Sequence, residues 1–100
     1  MSDEGALLRP EGALDFGTVG AVLAKSSGFA DPPELPQHLV ADLSAVTGVD
    51  SSAVALLIEW RRIAHEHGRT LEFANVPPNL MALARLYGVA EMIQPSPAAA

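Results

Sequence analysis

Two carboxylates and three hydroxyls crowd one short polar stretch of this chain: Asp42, Ser44, Asp50, Ser51 and Ser52. A carboxylate pair is the minimal equipment for general acid–base work, one group holding a proton while the other takes one. A serine at a helix start suggests different chemistry. The first N–H groups of a helix are unpaired and carry partial positive charge, so the position can hold a cap, bind an anion or accept a phosphate. Asp50 directly precedes a long helical pattern and reads first as its N-cap. A phosphate on Ser51 or Ser52 would add about two negative charges. The helix dipole would favour it by about 0.3–1 kcal/mol, with Asp42 and Asp50 in opposition.

Other catalytic patterns fail on their missing members. Gly12-Ala-Leu-Asp-Phe-Gly17 has P-loop glycine spacing, but Thr18 and Val19 follow where Lys-Ser/Thr is required. The phosphate-gripping lysine is absent, so the chain is not expected to hydrolyse ATP. Gly17 and Gly20 make no dinucleotide fingerprint. His65 and His67 lie two apart on different sides of a helix and cannot chelate one metal within it; His38 is isolated. No Gly-x-Ser-x-Gly elbow exists. The reading is a chain with no catalytic residues, no metal and no cofactor. An enzyme resting on Asp42 and Asp50 is the weak competitor, and so is a lipid carrier, for which a chain this short leaves little cavity.

The elements that must position these residues follow from periodicity. Leu7–Arg9 and Ala13–Phe16 read as short strands joined as a hairpin by Pro-Glu-Gly. Thr18 reads as the cap of a helix over Val19–Ser27, stopped by Gly28. Ala30–Gln37 holds three prolines and reads as a loop. His38–Leu43 is a central strand, Ser51–His67 a strong helix ended by Gly68, and Thr70–Ala74 a strand with Leu71 and Phe73 on one face. Pro77–Tyr87 is a last helix with Gly88 beyond it, and Ala90–Ile93 a short helical turn. This order predicts an α/β fold with a mixed, mostly parallel sheet of four to five strands, helices packed against it and functional groups beyond the strands' carboxyl ends. The domain is expected over residues 6–93, with residues 1–5 and 94–100 disordered.

A helical wheel places Ala53, Leu56, Leu57, Trp60, Ile63 and Ala64 on the core face of the long helix. Glu59, Arg62 and Glu66 fall opposite. Val54 and Ile58 lie on the flank shared by Arg61 and His65, a stripe that is either a docking surface or covered by neighbouring elements. On the last helix, Leu80, Leu83, Ala84 and Tyr87 share a face, with Met81 and Leu86 at its margins.

The 100 residues carry a net charge of -6 with only six Lys and Arg, so no basic stripe for a phosphate backbone exists and nucleic acid is excluded as a partner. The longest apolar run, Ala53–Ile58, is far short of a membrane span. The chain has no cysteine, and Met-Ser-Asp-Glu-Gly does not resemble a signal peptide. The expectation is a soluble cytoplasmic protein.

Val40-Ala-Asp-Leu-Ser-Ala-Val-Thr-Gly-Val-Asp-Ser-Ser-Ala53 resembles the signature of STAS domains, the fold shared by anti-sigma-factor antagonists and sulfate-transporter tails. Leu71-Glu-Phe-Ala-Asn-Val-Pro-Pro-Asn-Leu-Met-Ala-Leu-Ala-Arg-Leu-Tyr-Gly-Val-Ala-Glu-Met-Ile93 is similar to the MlaB branch, the small STAS subunits of the Mla phospholipid-transport ABC system of Gram-negative bacteria. The resemblance implies a non-catalytic accessory subunit. It would bind the cytoplasmic ATPase, and through it the inner-membrane permease, and support a transporter that maintains outer-membrane lipid asymmetry. It implies a cytoplasmic protein held peripherally at the inner membrane, without insertion; isolated copies can pair as homodimers. The resemblance places Ser51, the hydroxyl after the Asp, in the ATPase-contacting region; together with Ser52, the Val54, Ile58, Arg61 and His65 flank read from the wheel, and Met81, it makes the expected partner surface. The alternative is an anti-sigma-factor antagonist switched by phosphorylation. Its phosphorylated serine matches Ser52, where Ala53 replaces the family's following glycine.

Overall fold

The computed structural model describes residues 6–26 and 28–93. The two ends expected to be disordered, residues 1–5 and 94–100, lie outside the described residues, as does Ser27. The elements run β1 (Ala6–Leu8), β2 (Gly12–Leu14), α1 (Val19–Ser26), β3 (His38–Asp42), β4 (Val46–Val49), α2 (Ser51–Glu66), β5 (Thr70–Ala74), α3 (Pro78–Leu86) and a closing 3-10 turn (Ala90–Ile93). This is the α/β arrangement of the STAS fold.

The strands divide into a three-stranded sheet, β1-β3-β5, and a two-stranded one, β2-β4. Every pairing among them is parallel. The expected hairpin of the first two strands is therefore not formed. Ala6 pairs with Val40 at one end and Leu14 with Val49 at the other. Residues 6–14 thus run beside residues 40–49 as one bent ribbon, and Gly12 donates its N–H to the Ala45 carbonyl at the bend (3.0 Å). Pro10 lacks the N–H that would continue the ladder, so it breaks the ribbon without reversing it. β4 lies inside the polar stretch between Asp42 and Asp50, where the sequence pattern predicts no strand. β3 is central, as its apolar run implies.

The parallel ladder fixes which face is buried. Leu39 and Ala41 of β3 sit opposite Leu71 and Phe73 of β5, all buried, while His38, Val40, Thr70 and Glu72 turn the other way. α2 packs on this sheet and touches α1, α3 and the closing turn. Its core face carries Ala53, Leu56, Leu57, Trp60 and Ala64; Ile63 is only half-buried. Trp60 meets Phe29 edge-on at 6.5 Å and donates its indole N–H to Ser26 Oγ at 2.8 Å, so the buried ring leaves no polar atom unsatisfied.

Helix ends follow their sequence signals. His67 closes α2, after which Gly68 (φ 72°) and Arg69 return their N–H groups to the His65 and Ala64 carbonyls. α3 ends the same way through Gly88 (φ 76°) and Val89. Thr18 departs from its expected role. Its hydroxyl donates to the Ala13 carbonyl (2.8 Å) and accepts from Asp15 N–H (2.9 Å), tying the β2–α1 turn instead of capping α1. Tyr87, expected on the core face of the last helix, closes α3 at its C-cap and is 51% exposed, because the chain leaves the helix there.

Candidate functional site

The carboxyl ends of the strands carry a knot built on Asp42. Its Oδ1 accepts from the Ser44 N–H (3.0 Å) and from Asn75 Nδ2 (2.9 Å), and Arg9 Nε lies 3.5 Å from Oδ2. One buried carboxylate thereby joins the β3 exit, the β5 exit and the segment after β1. The Asn75 hydrogen bond holds its carboxyl below the ordinary value, and burial opposes this only in part. Asn75 itself adopts φ 58°, a left-handed conformation that Asn tolerates better than most residues. It was not singled out from sequence; an Asn directly after a strand and before Val-Pro-Pro was the available signal.

Asp50 caps α2. Its Oδ1 accepts from the Ser52 N–H (2.9 Å) and the Ser52 hydroxyl, while Oδ2 accepts from the Phe16 N–H (3.1 Å). Its own N–H bonds the Leu14 carbonyl at 3.3 Å. The cap therefore also fastens the β2 exit to the helix. Hydrogen bonds from Ser52 hold this carboxyl, too, below its ordinary value. With both carboxylates ionised at neutral pH and each engaged by its own partners, neither holds a proton to donate. The arrangement does not suit an acid–base pair.

The two serines differ. The Ser52 side chain is turned into the cap and the residue is only 8% exposed. Ser51 is half-buried, and its hydroxyl has no hydrogen-bond partner among the described residues. A kinase or partner arriving at this end would meet Ser51 first. Phe16, which the sequence pattern leaves at a strand end, is tied to Asp50 by its N–H and is 76% exposed.

The expected stripe along α2 is shorter than its wheel implies. Val54 is 4% exposed and belongs to the core, which removes it from any surface. A wheel resolves the sides of a helix but not the positions along its axis: neighbours cover this flank at Val54 and leave it open further on. Ile58 is half-buried, and Arg61 and His65 are exposed. These three border one groove together with Arg69, Leu71 and Met92. Met81 is half-buried on α3 and lies outside that lining. Arg69 and Met92 were missed from sequence because they come from separate elements.

The remaining histidines have local partners. His38 Nδ1 lies 2.6 Å from Thr70 Oγ1, and His67 lies 3.0 Å from both the Ile63 carbonyl and Asp31 Oδ1. Among the described residues no group of three His, Cys, Asp or Glu is placed to hold a metal, and no helix is long and apolar enough to cross a membrane.

Set beside known proteins, residues 1–94 match the family model described as "Mlab, STAS domain". The chain is similar in structure to the anti-sigma factor antagonist SpoIIAA in its unphosphorylated form, with a TM-score of 0.67 over 88% of this chain and 76% of that one, at 19% identity. That likeness speaks to the fold. No curated protein matches the chain.

Proposed function

The chain belongs to the STAS domain family, in its MlaB-type branch, and on that premise we propose that it is a non-catalytic accessory subunit of an Mla-type ABC phospholipid transporter. It docks on the cytoplasmic ATPase and supports its assembly and activity in maintaining outer-membrane lipid asymmetry. The protein works in the cytoplasm, held at the inner membrane through the ATPase and permease. The observation that carries this reading is the open flank of α2. Half-buried Ile58 is bordered by exposed Arg61 and His65, and half-buried Ser51 stands at the helix start. An apolar contact ringed by polar groups is the composition of a protein interface. Ser52, Val54 and Met81 serve it from behind, by fixing the helix, its core contact and the neighbouring α3.

The test is reconstitution with an Mla-type ABC ATPase from the same organism. A stoichiometric complex with raised ATP turnover, and no turnover by this chain alone, is expected. An ATPase that neither binds the chain nor changes its rate would overturn the proposal.

A second reading, an anti-sigma-factor antagonist switched at a serine, draws on the structural likeness to SpoIIAA and on the free Ser51 hydroxyl. Against it, the serine matching the switch position, Ser52, is buried and bonded to Asp50. Intact mass after incubation with a cognate anti-sigma kinase and ATP separates the two: a gain of one phosphate favours the switch.

A further inference from the structure

We propose that the groove between the C-terminal half of α2 and the start of β5 takes an acidic, apolar-anchored peptide segment of a protein partner. The partner's identity as the ATPase rests on the accessory-subunit reading; the chemistry of the groove does not.

The groove has a volume of about 820 Å³, with Ile58, Leu71 and Met92 as its apolar part. Its charges are unusual for this molecule. The chain has net charge -6 and six basic residues in all, and three of those, Arg61, Arg62 and Arg69, border this one groove. Two are already employed. Arg62 pairs with Glu59 and Glu66 along its own helix. Arg69 donates to the carbonyls of Ala30, Pro32, Leu35 and Pro36, which satisfy its N–H groups without cancelling its charge. Arg61 and His65 remain, both exposed and with no ion-pair partner among the described residues. Of the two carboxylates in the lining, Glu66 is held by Arg62, and Glu72 comes from β5.

Arg61 and His65 are one helical turn apart, so their Cβ atoms are about 5–6 Å apart, and both side chains border the same groove. Carboxylates one turn apart on a facing helix meet that spacing, while an apolar residue between them enters beside Ile58. This is the helix-in-groove mode of recognition, with charge setting orientation and encounter rate. A basic segment would face Arg61 with no free carboxylate on the same helix to compensate.

The probe is a helix-forming peptide of Leu, Ala and Glu, with a Leu, Ala and Lys counterpart, titrated into the isotopically labelled full chain and followed by amide NMR shifts. The acidic peptide is expected to move signals around residues 58–65, Leu71 and Met92 saturably. Raising salt from about 50 to 300 mM weakens such binding several-fold. Arg61→Glu should remove at least nine-tenths of the affinity in a spectrum that stays dispersed. Equal binding of the Lys peptide, shifts elsewhere, or no shift with the acidic peptide would overturn the proposal. Concentration-dependent shifts at these residues without peptide would also overturn it, by naming a second copy as the occupant. The ATPase reconstitution is read separately. An acidic probe in the groove with no ATPase complex would sustain this inference and remove the accessory-subunit reading.

Discussion

The two ends of α2 are built for opposite purposes. At the N-terminal end the side-chain oxygens are largely spent: Asp50 binds three donors from Ser52 and Phe16, Ser52 is folded into the cap, and Val54 is sealed in the core. Toward the C-terminal end, Arg61 and His65 stand exposed, with no ion-pair partner among the described residues, beside a half-buried isoleucine. Saturated hydrogen bonds and full burial make a rigid mount. Unspent charge beside apolar surface makes a contact. One helix thus holds the fold at its start and carries the proposed contact toward its end.

The sharpest way to break this contrast is a charge at two positions one turn apart. Val54→Asp buries an uncompensated carboxylate and should destabilise the fold by about 3 kcal/mol or more. Ile58→Asp, with water in reach, should stay within about 1 kcal/mol of wild type. Urea denaturation measures both, and equal losses would erase the distinction between the two ends.

Next in size is the cap. Asp50→Ala removes a helix cap and the tie to Phe16, and should lower the thermal midpoint by roughly 4–8 °C, as expected for a cap in a domain of this size. Asp50→Asn, which keeps an acceptor, should recover most of it.

Acid probes the same mount. The carboxyls of Asp42 and Asp50 are both held below their ordinary value in the folded chain. Their contribution is present above the unfolded value, near 3.8, and is lost as pH falls through the lower folded values. Stability should therefore fall below about pH 4, and Asp42→Asn should flatten that fall. A stability profile from pH 7 downward checks it.

The smallest effect belongs to the other end. Arg61→Ala should change stability by less than about 0.5 kcal/mol, whatever it does to binding.

Legibility in the sequence tracked the range of the interactions. α2, β5 and the closing turn were readable nearly to the residue, because a cap at Asp50, a glycine at Gly68 and clear periodicity are local signals. β4 was not readable: Val46–Val49 is four residues containing Gly48, and only pairing with β2 makes it a strand. The false hairpin arose because Pro-Glu-Gly serves a turn and a break in a ribbon equally well. At the candidate site, the cap and the outward direction of Arg61 and His65 were legible from the wheel. The burial of Val54 and the contributions of Arg69 and Met92 depend on elements distant in sequence, which no local pattern encodes.

The central claim is that the open flank of α2 is where this protein meets its ATPase. Calorimetric titration of that ATPase with wild type and Ile58→Asp, each checked for folding by circular dichroism, tests it most directly. The account predicts heat of binding for wild type and its loss for a folded Ile58→Asp; a folded variant that binds with unchanged affinity would contradict it.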